Sequence, residues 1–313
     1  MTPIQRIALF GECMIELQEQ DGGHLRRGFG GDTLNTAVYL ARLLADQPAQ
    51  VSYVTALGDD PHSQAMLDSW QAERIDTRLV ARLPGRVPGL YMIQVDAAGE
   101  RSFSYWRDTS AAKVYFEAET TELESALAQI DVLYFSGISL AILPPAGRSR
   151  LLAAAQQLRE RGGKVVFDNN YRPRLWADPA VARECYALAY AQADIALITL
   201  DDHIAMQSGG ISNADALAQA WALPTPEVVV KQGGDETLVR LAGQAPQSVK
   251  PAPVAKVVDT TAAGDSFAAG YLAARLCGHD VIAAAEVGNR LAGTVIQHRG
   301  ALIPQSAMPQ INL

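Results

Sequence analysis

Residues 164–200 read KVVFDNNYRPRLWADPAVARECYALAYAQADIALITL, and the fold turns on how they are parsed. KVVFDNN at 164–170 opens with a short β-branched and aromatic run, and IALITL at 195–200 is a second such run. Between them, residues 181–193 form an Ala- and Leu-rich segment of helix length. Both runs are apolar throughout rather than alternating, as strands covered on both faces are. Strand, helix, strand is therefore the expected order, and it is the repeating unit of a parallel sheet.

The same unit recurs on either side. RIALF at 6–10, VSYVTAL at 51–57, DVLYFSG at 131–137 and EVVVKQG at 227–233 are further runs of this kind, and 146–161 is a further helix-length segment. The chain reads as α/β, with a doubly wound, mostly parallel sheet flanked by helices. Sheets of that class take ligands in the crevice at the carboxyl ends of their strands.

Residues 87–107, VPGLYMIQVDAAGERSFSYWR, break the pattern: two alternating runs flank a Gly-containing turn, the mark of a β-hairpin. With the strand-like ECMIEL at 12–17 the hairpin predicts a small separate sheet. A two-residue period puts Arg101, Phe103, Tyr105 and Arg107 on one face. Two cations and two aromatics make a poor core but a suitable lid over a polar, anionic ligand; the plainer alternative is an exposed sheet or a subunit contact. The counter-face, with Leu90, Met92 and Trp106, predicts a homo-oligomer that packs through the lid. The expected division is 1–10, 31–86 and 108–313 for the α/β domain, and 11–30 with 87–107 for the lid.

With 313 residues, 49% of them hydrophobic, the chain can bury a large core. A net charge of −8 argues against nucleic acid and anionic membrane as partners, so an anionic ligand must be held by locally placed Arg or Lys. The start MTPIQRIALFGE has no basic stretch followed by a long apolar one, and no apolar run is long enough to span a bilayer, so a cytoplasmic protein is expected. Cys13, Cys185 and Cys277 are far apart and read as buried thiols. The five histidines have no ligand-like spacing.

Two Gly-rich segments at opposite ends of the chain remain. GFGGDTLNTAVYLARL starts at residue 28; Gly30 and Gly31 permit a tight turn or a backbone that hugs a small ligand. Asp32 and Asn35 can bond sugar hydroxyls, or Asp32 can simply cap the helix that follows. DTTAAGDSFAAG at 259–270 poses the same choice for Asp265: a capping carboxylate, or one that faces a bound anion held by the free amides of a helix start. In the second case the amides after Thr261 hold developing negative charge while Asp265 accepts a proton from an attacking hydroxyl. No GxxxxGK[ST] loop, dinucleotide fingerprint, GxSxG elbow, HExxH helix or protein-kinase motif set is present.

Five segments in order, GECMIEL, GFGGDTLNTAVYLAR, DNNYRPRLW, ITLDD and VVDTTAAGDSFAAGYL, resemble the ribokinase/PfkB carbohydrate kinases over essentially the full chain. The resemblance implies a ribokinase-like fold and ATP-dependent phosphorylation of the terminal hydroxyl of 2-dehydro-3-deoxy-D-gluconate. A neutral sugar, as in fructokinase- or ribokinase-like enzymes, is the alternative substrate, and a non-catalytic sensor on the same fold is the alternative class. It implies Asp265 as catalytic base and Ala262, Ala263 and Gly264 as bearers of the anion-hole amides. Gly31, Asp32 and Asn35 line the implied sugar site, with Tyr91, Tyr105 and Arg107 from the lid and Arg172 from DNNYRPRLW. Lys231, Gly233 and Gly234 border the implied nucleotide site, Asn170 reaches its phosphates, and Asn289 lies toward the adenine. The small-molecule partners implied are a sugar acid and ATP, with Mg²⁺ or a similar divalent cation; a monovalent cation is left open.

One physical argument selects among substrates. A sugar acid carries a carboxylate, which favours a planar guanidinium able to form paired bonds, and Arg107 and Arg172 are the two candidates. A local salt bridge, with Asp168 nearby, is the plainer role for Arg172. The chain departs from the family pattern at Ala262, where glycine is usual, and at ITLDDH (198–203), where the family often has NxxE. Asp201 or Asp202 either acts on Mg²⁺ through water or only begins a helix, and the metal ligands are left unassigned.

Overall fold

In a computed structural model that describes residues 5–20, 23–95, 101–207 and 209–313, the chain forms two sheets. The strands are β1 (Gln5–Phe10), β2 (Met14–Glu19), β3 (Leu25–Gly30), β4 (Ala49–Leu57), β5 (Val80–Arg82), β6 (Leu90–Val95), β7 (Arg101–Trp106), β8 (Val132–Ser136), β9 (Lys164–Asp168), β10 (Ile195–Thr199), β11 (Glu227–Lys231), β12 (Thr237–Leu241) and β13 (Gln247–Val249). The helices are α1 (Asp32–Leu43), α2 (Pro61–Ala72), α3 (Glu122–Ala126), α4 (Gly137–Ile142), α5 (Pro145–Glu160), α6 (Pro179–Gln192), α7 (Leu200–Ala205), α8 (Asn213–Trp221), α9 (Ala263–Leu276) and α10 (Val281–Val295).

The large sheet runs β13-β12-β11-β10-β9-β8-β1-β4-β5. From β11 to β5 all neighbours are parallel, and β12 and β13 close one edge as an antiparallel hairpin. Successive residues of β1 feed opposite cores. Ile7 and Leu9 join the layer that holds α1, α9 and α10, while Ala8 and Phe10 join the layer that holds α5 and α6. Burial on both faces is why these strands read as unbroken apolar runs.

The chain leaves β1 toward β4 and β5 on one side and later builds β8 to β11 outward on the other. The strand order reverses between β1 and β8, and at such a switch point a crevice opens beyond the carboxyl ends of the strands.

The small sheet, β3-β2-β6-β7, lies within residues 11–30 and 87–107. In sequence its β3 is legible only as a glycine-rich segment. The hairpin turn at 96–100 and the side chain of Arg101 lie outside the described residues. Pairing of Tyr91 with Tyr105 and of Ile93 with Phe103 places Tyr105 and Phe103 on one face as expected, but β7 ends at Trp106, so Arg107 stands beyond the strand. The counter-face is divided. Leu90, with Leu17 and Phe29, packs against the main core, whereas Trp106 is 60% exposed. Of the three cysteines only Cys13 is fully buried.

Candidate active site

The polar groups on the large-sheet side of the crevice stand at or just beyond the end of a parallel strand or at the start of a helix. Glu12 follows β1, Ser136 ends β8, Asp168 ends β9, Asp202 follows β10 and Lys231 ends β11. Facing them are the first turns of α1 and α9. Neither of the two aspartates there caps its own helix.

Asp32 is the first residue of α1, whose N-cap is Gly31 with no side-chain bond. Its Oδ2 instead accepts 2.6 Å hydrogen bonds from Ser136 Oγ and from Asn170 Nδ2. Asp265 stands in the first turn of α9, and its Oδ2 accepts from Asn35 Nδ2 of α1 at 2.8 Å. Thr36 Oγ1 also spans the helix starts, donating to the carbonyls of Asp32 and Asp265. Burial, then the nearby charge of Asp32, pushes the Asp265 carboxyl well above the usual carboxylate range, while the Asn35 bond pulls it back. A carboxylate so raised holds a proton more readily than a solvated one, as a general base must.

The loop ahead of α9 is fixed from behind. Asp259 accepts from Thr261 N through Oδ1 (3.0 Å) and from Gly300 N through Oδ2 (2.7 Å). Ala262 adopts the left-handed conformation, φ 60° and ψ 18°. Glycine takes this conformation freely, whereas a residue with a Cβ gives up about 1–2 kcal/mol. The Ala263 amide, expected to face an anion, lies 3.2 Å from the Thr260 carbonyl and closes the turn. Gly264 faces Lys231, whose Nζ is 3.5 Å from the point where a Cβ on Gly264 would stand. Lys231 is buried and donates to Asp168 Oδ2 at 2.8 Å. The turn at Gly233 and Gly234 is open, with nothing within 4 Å of a Cβ on either.

On the lid side, Tyr91 donates its hydroxyl to Glu16, and burial with that carboxylate drives its pKa up. Tyr105, 49% exposed, lies 5.9 Å from the Tyr91 ring and 6.0 Å from the Arg107 guanidinium. Arg107 is paired through Nη2 with Glu12, both nearly fully buried. Arg172 pairs through Nη1 with Asp202 at 3.1 Å, not with Asp168. That contact also takes up Asp202, one of the two carboxylates read as acting on Mg²⁺, while Asp201 is exposed. Among the described residues no three His, Cys, Asp or Glu side chains converge as a metal site. Asn170 reaches Asp32, and Asn289 accepts from Thr237 Oγ1 at 2.9 Å, tying α10 to the sheet edge.

The glycines of the first segment answer to crowding. A Cβ on Gly31 would stand 2.1 Å from the Glu12 carbonyl oxygen, and one on Gly30 would stand 2.1 Å from the Tyr91 hydroxyl. Gly31 itself is extended at φ 175°. What hugs this backbone is the chain's own β1–β2 link and lid.

Comparison with known proteins agrees with this architecture. A family model described as pfkB family carbohydrate kinase matches residues 4–308. The chain belongs to the pfkB family of carbohydrate kinases. A relative named 2-dehydro-3-deoxygluconokinase, from Escherichia coli (strain K12), is 51% identical over 308 residues, covering 97% of this chain and 99% of the relative. A fructokinase from Klebsiella pneumoniae is 30% identical over 269 residues, 86% and 83% of the two chains. The crystal structure of a PfkB protein from Polaromonas sp. JS666 superposes with a TM-score of 0.79 at 25% identity, covering 94% of this chain and 96% of that one.

For this pfkB kinase, sequence reading missed Glu12 and Glu16, with Ser136 beside Asp32, and gave Asp168 and Asp202 other roles than the pairing with Lys231 and Arg172. Asp168 ends an apolar run and carried a usable signal, since a charge at the carboxyl end of a buried strand faces the crevice. Glu12 carried none, because its partner is 95 residues away.

Proposed function

We infer that this chain transfers the γ-phosphoryl group of ATP to the terminal hydroxyl of 2-dehydro-3-deoxy-D-gluconate, giving the 6-phosphate. The observation that carries the reading is the pairing of the raised Asp265 carboxyl, held by Asn35, with a lid and strand-end margin that bears Arg107 and Arg172. The 51% identity to a relative of that name supports it.

In this mechanism the substrate's carboxylate pairs with Arg107 and Arg172, and the Tyr91 and Tyr105 hydroxyls orient it. Gly31, Asp32 and Asn35 line the sugar. Asp265 accepts the terminal hydroxyl's proton as that oxygen bonds to the γ-phosphorus, and ADP departs with the electrons of the broken P–O bond. The start of α9, through the amides at Ala262 and Gly264, and the Lys231 ammonium lie where the transferring group's negative charge must be met. Asn170 and the open Gly233–Gly234 turn border the nucleotide, with Asn289 toward its base. A divalent cation neutralises the nucleotide's phosphates when bound; with no ready-made carboxylate cluster among the described residues, it comes with the nucleotide.

The test is ADP release over a panel of sugars and sugar acids. The keto-deoxy acid is expected to have the highest kcat/KM, and a higher value for fructose or ribose would overturn the assignment. A neutral-sugar kinase is the second reading, favoured by the commitment of both arginines to internal carboxylates. Arg107→Ala separates the two, because it should harm turnover of the acid far more than that of a neutral sugar.

The reading extends to context. A cytoplasmic location fits a kinase that draws on ATP; among the described residues no helix is long and apolar enough to cross a membrane. Leu25 (49% exposed) and Trp106 (60% exposed) lie on one face of the small sheet by register, which supports self-association through the lid. Light scattering checks it: Trp106→Glu should shift an oligomer to monomer.

A further inference from the structure

We propose that Glu12 is a positioning residue that sets the Arg107 guanidinium for the substrate's carboxylate before the substrate arrives. The proposal deepens the sugar-acid reading and rests on it. The Glu12 side chain is 1% exposed and that of Arg107 is 10% exposed, and their contact joins the link after β1 to the link after β7. Two charges so buried persist only as a pair, so neither is free to wander as a surface arginine is.

The pocket around the pair is shaped for it. A Cβ on Gly89 would stand 2.8 Å from Glu12 Oε1 and 3.1 Å from Arg107 Cβ, and a Cβ on Gly31 would stand 2.1 Å from the Glu12 carbonyl. Gly89 thus keeps clear the space in which acid and guanidinium meet, while Gly31, the N-cap of α1, lets the Glu12 backbone pass close by. The pairing is also incomplete. Among the described residues only Nη2 is committed, and Glu12 Oε1 and Arg107 Nε are buried without partners. A guanidinium has five N–H donors in one plane. Fixing that plane through Nη2 leaves the other terminal nitrogen, Nη1, to a second carboxylate. Because Glu12 also fixes where Gly31 runs, the plane is set relative to α1, the helix whose Asn35 holds Asp265.

The experiment is Glu12→Gln, with steady-state kinetics in the keto-deoxy sugar acid and in ATP and with thermal unfolding. The expected result is a rise of about tenfold in the sugar-acid KM, with kcat and the ATP KM within about twofold, since a 1 Å misplacement of a binding group costs on that order or more. The Glu12→Gln/Arg107→Ala double variant should have a sugar-acid KM no higher than Arg107→Ala alone. If Glu12→Gln fails to fold, Glu12→Asp is the measurement. It keeps the charge and draws it back by one methylene, and it should retain the melting temperature while raising the same KM several-fold. An unchanged or lower sugar-acid KM in the folded variant overturns the proposal. If Arg107→Ala itself leaves that KM unchanged, the sugar-acid reading fails; if Arg107→Ala raises it and Glu12→Gln does not, only the role of Glu12 fails.

Discussion

The first turns of α1 and α9 lie side by side at the crevice and solve one problem in opposite ways. Each follows a run of small residues, and each places an aspartate where a cap is ordinarily sought. At α1 the backbone is relaxed, with Gly31 extended, yet glycine is required because the Glu12 carbonyl leaves no room for a Cβ. At α9 the backbone is strained, with Ala262 at φ 60°, yet a Cβ is present. The aspartates differ in the same sense. Asp32 accepts two bonds from outside its helix, whereas Asp265 accepts one, from Asn35 of the neighbouring helix. A glycine in sequence therefore does not reveal whether conformation or space demands it. A carboxylate at a helix start does not reveal whether it serves that helix.

The largest expected break in this comparison is Asp265→Asn. Loss of the base should lower kcat by about 10³-fold, a general base being worth 10²–10⁴. Thermal unfolding should move the other way. The folded-state pKa of Asp265 lies above its unfolded value, so the proton-bound form favours the fold and that contribution is lost as pH rises through the raised pKa. At neutral pH the unfolded carboxyl is ionised and folding must restore its proton, a cost that a neutral amide does not bear, so asparagine should raise Tm by about 2 °C. A normal kcat would remove Asp265 as the base.

Next is Gly31→Ala, whose Cβ must displace the Glu12 backbone. A loss of about 2–3 kcal/mol in urea unfolding is expected, near the upper end for overpacking. Stability within about 0.5 kcal/mol of the parent, the usual scatter of a neutral surface change, would mean that the close approach is not rigid.

Asp32→Asn sharpens the electrostatic half of the comparison. With the neighbouring charge gone, the acidic limb of the kcat/KM profile, where Asp265 must lose its proton, should move to lower pH. A limb that stays in place would uncouple the two helix starts.

The smallest effect belongs to Ala262→Gly. Relief of about 1–2 kcal/mol of left-handed strain is offset by the entropy a glycine adds to the unfolded chain, about 0.4–1 kcal/mol, leaving a gain of about 0.5 kcal/mol. Destabilisation by calorimetry would show that the alanine side chain packs usefully at the loop.

Much of this protein follows from sequence by itself. Runs such as IALF and VVF determine a sheet buried on both faces, because burial is a property each residue carries along the chain. The hairpin's alternation separates the small sheet for the same reason, and the small residues around Asp265 mark a helix start. Tertiary structure alone decided the pairings. Asp32 meets Ser136 and Asn170, 104 and 138 residues away; Arg107 meets Glu12, 95 away; Arg172 meets Asp202 rather than the nearer Asp168. Local pattern specifies which groups are buried and how the backbone runs, but which charge answers which depends on the strand ends that the sheet order brings together at the crevice.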